Sequence, residues 1–253
     1  MSSDGVPTKG TAVRDQPNPS VTTGNRLLDA LTLREREAVL DGARTRAISV
    51  GDVLMRPGDP VTFVPFPTRG TVSMVVQPDD VEVEAATIGP EGAAGVHSAL
   101  GSRRASQQLI AQIEGEMIMV PVETFAKQAR ADSRFQDIVY GYLEAMVFQI
   151  SQTAACNALH HLNQRCARWL LQSHDRIDGD TFGLTQEFLG VMLGVQRPSV
   201  SIAERTLQEA GCITFSRGSV TVVDREALEA AACLCYEQIR AEYSRLVPLR
   251  VQR

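Results

Sequence analysis

The side chains best placed to do chemistry lie in the run LTQEFLGVMLGVQRPSVSIAERTLQEA, from Leu184 to Ala210. Arg197, Ser199, Ser201 and Arg205 bring guanidinium and hydroxyl donors onto one short stretch, with Thr185 and Gln186 just upstream. No nucleophile, base and orienting group form a recognisable motif around them, so the chemistry is recognition rather than reaction. An arginine fork matches the O6 and N7 acceptors of guanine, and small hydroxyls reach phosphates or base edges. Arg217, beside the turn residue Gly218, is a further cation able to meet a phosphate backbone. A second grouping lies upstream, where Glu91 and Gly92 precede Arg103, Arg104, Ala105 and Ser106. A guanidinium and the amides of small residues are good partners for a phosphate.

Positioning the first grouping requires a corner. Thr185 is a suitable N-cap for a short helix over Gln186 to Leu193, and Gly194 supplies the left-handed backbone that ends it. A second helix starts near Arg197. Leu189, Leu193, Val195, Val200, Ala203 and Leu207 are apolar at positions that fit between the two, and Gly190 and Ala203 are small enough for a close crossing. Beyond Gly211, Cys212 to Phe215 and Val220 to Val223 flank Gly218 as a hairpin. A helix-turn-helix followed by a hairpin is a winged helix, with one helix for the major groove. The expected contact set is Thr185, Gln186, Arg197, Ser199, Val200, Ser201, Arg205 and Arg217. The competing reading is an αα-corner in a helical domain.

The run TQEFLGVMLGVQRPSVSIAERTLQEAGCI, followed by SRGSVTVVDREALE, resembles the C-terminal DNA-binding domain of the Crp/Fnr family of bacterial transcription regulators. That resemblance implies a β-barrel sensor domain and a long dimerisation helix ahead of it. GDVLMRPGDP, from Gly51 to Pro60, and FPTRGTVSMV, from Phe66 to Val75, resemble the opening strands of the family's barrel. In the members that bind cyclic nucleotides, a Gly-Glu pair and an Arg-x-Ala segment form the phosphate cassette. By that resemblance Glu91, Gly92, Arg103, Arg104, Ala105 and Ser106 are the effector set and cyclic AMP or cyclic GMP the candidate ligand. Pro90 replaces the glycine before Glu91, and the gap to Arg103 is longer than in the family, so a degenerate pocket with paired surface charges is the alternative. Family members often read bases with an arginine, a glutamate and a second arginine. Arg197 matches the first, but Pro198 and Ile202 stand at the others, so the base code must differ.

The rest of the 253 residues divides accordingly. Residues 1–24, rich in Ser, Thr, Pro and Gly, are expected to be a disordered tail. Residues 25–130 carry short β-branched runs punctuated by turns at Pro57-Gly58-Asp59 and Arg69-Gly70, the texture of a barrel. Residues 131–158 form a long helix on which Val139, Leu143, Met146, Ile150 and Thr153 make a heptad stripe. Either two copies pair along that stripe or a single helix lies on its own barrel. Residues 159–253 hold the winged helix and a last helix from Arg225 to Leu246. The whole is thus an α+β chain with an N-terminal jelly-roll barrel of the cyclic-nucleotide-binding type, a dimerisation helix and a C-terminal winged helix-turn-helix.

Composition narrows the function. A net charge of −5 argues against a general polyanion binder. The start lacks an apolar signal segment and no run is long enough to span a bilayer, so a cytoplasmic protein without membrane contact is expected. The five cysteines begin at Cys156, which leaves no cluster ahead of the barrel for iron and sulfide. Cys233 and Cys235, two apart on one expected helix, would point about 200° apart and not share an ion. His97, the one histidine in the barrel region, reads as a loop residue rather than a metal ligand. No cofactor beyond a cyclic nucleotide is implied, and an enzyme is not expected. The expected function is a dimeric DNA-binding regulator of a palindromic site, contacting RNA polymerase if it activates. The alternative is a ligand- or partner-binding module of the same fold with degenerate DNA recognition.

Overall fold

A computed structural model of the chain describes Val13–Arg14, Asn18 and residues 21–79, 81–216 and 218–247. The expected tail lies mostly outside these residues. Where it is described it is held: β1 (Val13–Arg14) pairs with β2 (Arg44–Ile48), and the Thr23 amide donates to Asp29. Two short helices open the sheet domain, α1 (Arg26–Asp29) and α2 (Leu33–Val39). Asn25 caps α1 and its amide group also donates to the carbonyls of Pro67 and Gly92, while Thr32 and Glu35 form a capping box on α2.

An antiparallel sheet follows, built from β2, β3 (Val53–Met55), β4 (Phe63–Val76), β5 (Val83–Ile88) and β6 (Gln108–Pro121), in the order β1-β2-β6-β4-β5 with β3 also on β6. The expected turn at Arg69-Gly70 is instead a bulge inside a continuous β4, which pairs with β6 through successive register shifts. Gly70 has φ +80°, and a Cβ there would lie 2.6 Å from the Ile113 carbonyl oxygen; one on Gly115 would lie 2.3 Å from that of Arg69. The two strands bend where only glycines let their backbones meet. The short helix α3 (Val96–Leu100) bridges β5 and β6 and carries His97, which is therefore helical rather than in a loop.

Helix α4 (Val122–Ala131) leads to α5 (Ser133–Leu159), whose N-cap Asp132 accepts from the Phe135 amide. Then come α6 (Leu162–His174), β7 (Thr181–Gly183), α7 (Gln186–Leu193), α8 (Arg197–Glu209), β8 (Ile213–Ser216) and β9 (Ser219–Val222). Strand β7 adds a third strand to the wing sheet, ordered β7-β9-β8, which the hairpin pattern alone did not foretell. The expected single last helix is two, α9 (Arg225–Ala231) and α10 (Cys235–Leu246), broken at an extended Ala232. No glycine or proline marks that break, so its cause is tertiary. The architecture is α+β, a sheet domain joined by a long helix to a winged helix-turn-helix.

The two cores exchange residues. Val75 and Ile113 of the sheet domain belong to the winged-helix core, while Ile239, Tyr243 and Val247 belong to the core of the sheet domain. Among the described residues, no helix is long and apolar enough to cross a membrane.

Candidate nucleic-acid interface

The corner forms as its residue types require. The Thr185 hydroxyl accepts from the Phe188 amide at 3.1 Å, and Gly194 ends α7 at φ +64°. A Cβ on Gly190 would sit 2.9 Å from the Val195 carbonyl oxygen, so that glycine lets the two helices cross closely. Pro198 occupies the first turn of α8, where its missing N–H costs nothing. Val200, Ala203 and Leu207 are buried in the winged-helix core with Leu189 and Leu193.

That burial sorts the expected contact set. Arg197 and Arg205 are exposed, and Ser199 and Ser201 half-buried. Ile202 projects with 67% of its surface free, beside exposed Thr206. Val200, expected among the contacts, is fully buried and acts as packing; it shares the helix with the readers but faces the opposite side. The Thr185 hydroxyl serves as a cap, although the residue itself is exposed. Arg217 lies outside the described residues. Gln186 has a role that its sequence position did not reveal. Its side-chain oxygen accepts from Arg197 Nε and Ser201 Oγ, both at 3.3 Å, and its nitrogen donates to Glu204 at 2.7 Å. One amide thereby aims the first arginine of α8 from the helix before it.

Behind this face, a polar seam joins the two domains. Arg176, just past α6, grips Glu91 with Nη2 2.7 Å and Nε 3.0 Å from Oε1, and also donates to the Thr87 hydroxyl and the Gln172 carbonyl. Burial would raise the Glu91 pKa, but Arg176 and the Gly89 amide outweigh it and hold the carboxyl below its ordinary value. Glu84 on β5 accepts from Trp169 Nε1 on α6 at 3.0 Å and lies 2.6 Å from Ser73 Oγ. Burial dominates there and pushes its pKa up to about 7. Gln112 on β6 donates to Ser173 on α6 at 2.7 Å.

The charged members of the expected effector set have other partners. Glu91 is committed to Arg176, Arg103 pairs with Glu123 at 2.9 Å, and Arg104 donates to the Gly58 carbonyl. Gly92 lies against the Tyr142 ring, Ala105 is buried, and Ser106 meets His97 Nε2 at 3.1 Å. Glu91 and the two arginines are thus each engaged with a different partner. The sequence spacing could not reveal this, because the partner that takes Glu91 is 85 residues away.

The heptad stripe packs within its own chain. Val139, Met146 and Thr153 are buried, with Val139 and Met146 in the core of the sheet domain and Leu143 and Ile150 packed at its edge. The stripe one residue on, Tyr140, Glu144, Val147, Ser151, Ala154 and Ala158, is exposed instead. The helix lies on its own sheet domain along the predicted stripe because that stripe is the more apolar face, and it leaves the neighbouring one uncovered.

Comparison with known proteins agrees with this architecture. Residues 164–231 match the Crp-like helix-turn-helix domain. A putative transcriptional regulator of the Crp/Fnr family from Eubacterium rectale superposes with a TM-score of 0.65 at 15% identity, over 83% of this chain and 99% of that one. FixK2 from Bradyrhizobium japonicum gives 0.65 at 16%, over 76% and 98%. A Crp/Fnr transcriptional regulator from Thermus thermophilus gives 0.61 at 19%, over 74% and 97%. No curated protein matches the sequence significantly. With its corner, its three-stranded wing and a sheet domain of that shape, the chain has the fold of the Crp/Fnr regulators and carries a Crp-like helix-turn-helix domain.

Proposed function

We propose that this protein is a DNA-binding transcription regulator that reads a palindromic site as a homodimer. The observation that carries the reading is the exposed side of α8: Arg197, held by Gln186, opens the helix, and Ile202, Arg205 and Thr206 follow along it. Arg197 suits a guanine, and the bare Ile202 suits the methyl group of a thymine. With Pro198 and Ile202 in place of two charged readers, affinity leans on the dimer, whose two α8 helices would sit about 34 Å apart. Pairing along Tyr140, Val147 and Ala154 of α5 supplies the twofold.

Sensing rests on the closeness of the two domains. A cleft of about 920 Å³ lies at the seam between Arg69 on the sheet side and Arg176 and Phe182 on the other. The N-terminus of α8 abuts the loop before β5, where Arg197 shares a cleft with Val81 and Glu82. An effector acting on the seam would free that end of α8 for a groove. A cyclic nucleotide bound as the family binds it would have to displace Arg176 from Glu91 and Glu123 from Arg103.

Selection of binding sites from random duplex DNA tests the reading. Enrichment of a two-fold site is expected; no enrichment, with or without cyclic AMP or cyclic GMP, would support instead a module that binds ligands or partners without reading DNA.

A further inference from the structure

Four side chains outside both the DNA face and the seam converge where α5 ends. Cys156 is in the last turn of α5 and His160 is its C-cap, while Cys233 and Cys235 flank Leu234 in the break between α9 and α10. Their four ligand atoms all lie within 4.8 Å of one another. Cys156 Sγ is 3.4 Å from Cys233 Sγ, and Cys235 Sγ is 3.5 Å from His160 Nδ1. The three cysteines are buried and His160 is half-buried. The expectation that Cys233 and Cys235 point apart fails because they are not on one helix: extended Ala232 turns the chain so that both thiols face Cys156.

We propose that these residues form a mononuclear Zn²⁺ site of three thiolates and one imidazole, which fastens the α9–α10 junction to the end of the long helix.

The spacing fits that ion. Zinc–sulfur bonds of about 2.3 Å and a zinc–nitrogen bond of about 2.0 Å at tetrahedral angles put ligand atoms about 3.5–3.8 Å apart. Four protein ligands close the coordination sphere, as in structural rather than catalytic zinc sites. All four are too close together to be shared among the several irons of a cluster.

The surroundings fit as well. Three thiolates around Zn²⁺ leave one net negative charge, and the buried guanidinium of Arg168 lies beside Cys156 to offset it. Arg168 Nε is buried with no hydrogen-bond partner among the described residues. Gln152 directs its amide at Cys235 Sγ from 3.6 Å and also at Gln238, orienting one ligand from α5. On binding, the thiol protons pass to solvent, so uptake falls at low pH.

The chain alternates between these partners in a way that gives the ion a mechanical role. Cys156 and His160 stand where the long helix hands over to α6, and Cys233 and Cys235 stand at the start of α10, which lies along α5 through Ile239 and Tyr243. An ion here would hold α10 against the end of α5 in one arrangement. This inference is independent of the DNA reading.

Metal-free, fully reduced full-length protein titrated with Co²⁺ provides the test. Saturation at about one equivalent, with thiolate-to-cobalt charge transfer and the strong visible bands of a tetrahedral ion displaced by Zn²⁺, is expected. Cys156→Ser, Cys233→Ser, Cys235→Ser and His160→Gln should each weaken uptake at least about tenfold, and Cys212→Ser, in the winged-helix core, should not. X-ray absorption on the zinc-loaded wild type should count three sulfurs and one nitrogen, a readout that does not depend on any variant folding. No saturable uptake by reduced protein, a different ligand count, or a Cys156–Cys233 disulfide as the only product at this spot would overturn the proposal.

Discussion

The seam and the recognition edge are made from the same side chains in different surroundings. At the seam, Arg176 and Glu91 keep only 9% and 12% of their side-chain surface, and every guanidinium nitrogen of Arg176 has a partner. On α8, Arg197 and Arg205 are exposed and Arg197 has one long contact to Gln186. A buried charge is tolerated only while its partner is present, so an arginine at the seam is part of the fold. An exposed one contributes little to folding and keeps its donors for a ligand. The burial of an arginine, more than its presence in a motif, therefore separates a structural role from the reading role proposed for α8.

Four substitutions probe that contrast, the strongest first. Glu91→Ala leaves Arg176 buried and unpaired and should cost about 3–5 kcal/mol in chemical denaturation. A loss below about 1 kcal/mol would mean the seam is no more a part of the fold than the surface is. Glu84 is the second probe. Its pKa rises from 4.5 unfolded to about 7 folded, so the stability that its protonated form contributes is fully present below pH 4.5 and is lost as pH rises through about 7. Glu84→Gln should flatten that decline and leave the variant more stable than wild type above pH 7, by up to about 3 kcal/mol, in urea melts at pH 5 and pH 8.

Arg197→Ala should behave in the opposite sense. Its stability should stay within about 0.5 kcal/mol of wild type, while discrimination at one base pair falls by about 1–3 kcal/mol in competition binding. A large loss of stability with unchanged discrimination would assign Arg197 to packing. The smallest effect is expected for Arg103→Ala, which removes a surface ion pair with Glu123 and should cost less than about 1 kcal/mol by the same denaturation measurement.

The corner was legible because its signals are local. A hydroxyl three residues ahead of the amide it caps, a glycine at the left-handed position and small residues at the crossing all act within a few residues of one another. The same local view misplaced Val200, since a helix pattern names the face of each residue only once the partner helix is fixed. On α5 it found the repeat but left open what covers it; the stripe packs on its own sheet domain, and a neighbouring stripe stays exposed.

Sequence was sufficient, then, for the sheet-helix-winged helix plan and the arginine at the head of α8, because caps, periodicity and turn residues encode those within one or two turns of chain. The partners were a different matter. Arg176 reaches Glu91 across 85 residues and Cys233 reaches Cys156 across 77, and no periodicity links positions so far apart. Those meetings depend on how the two cores interlock, which is set by packing between domains rather than by any local preference.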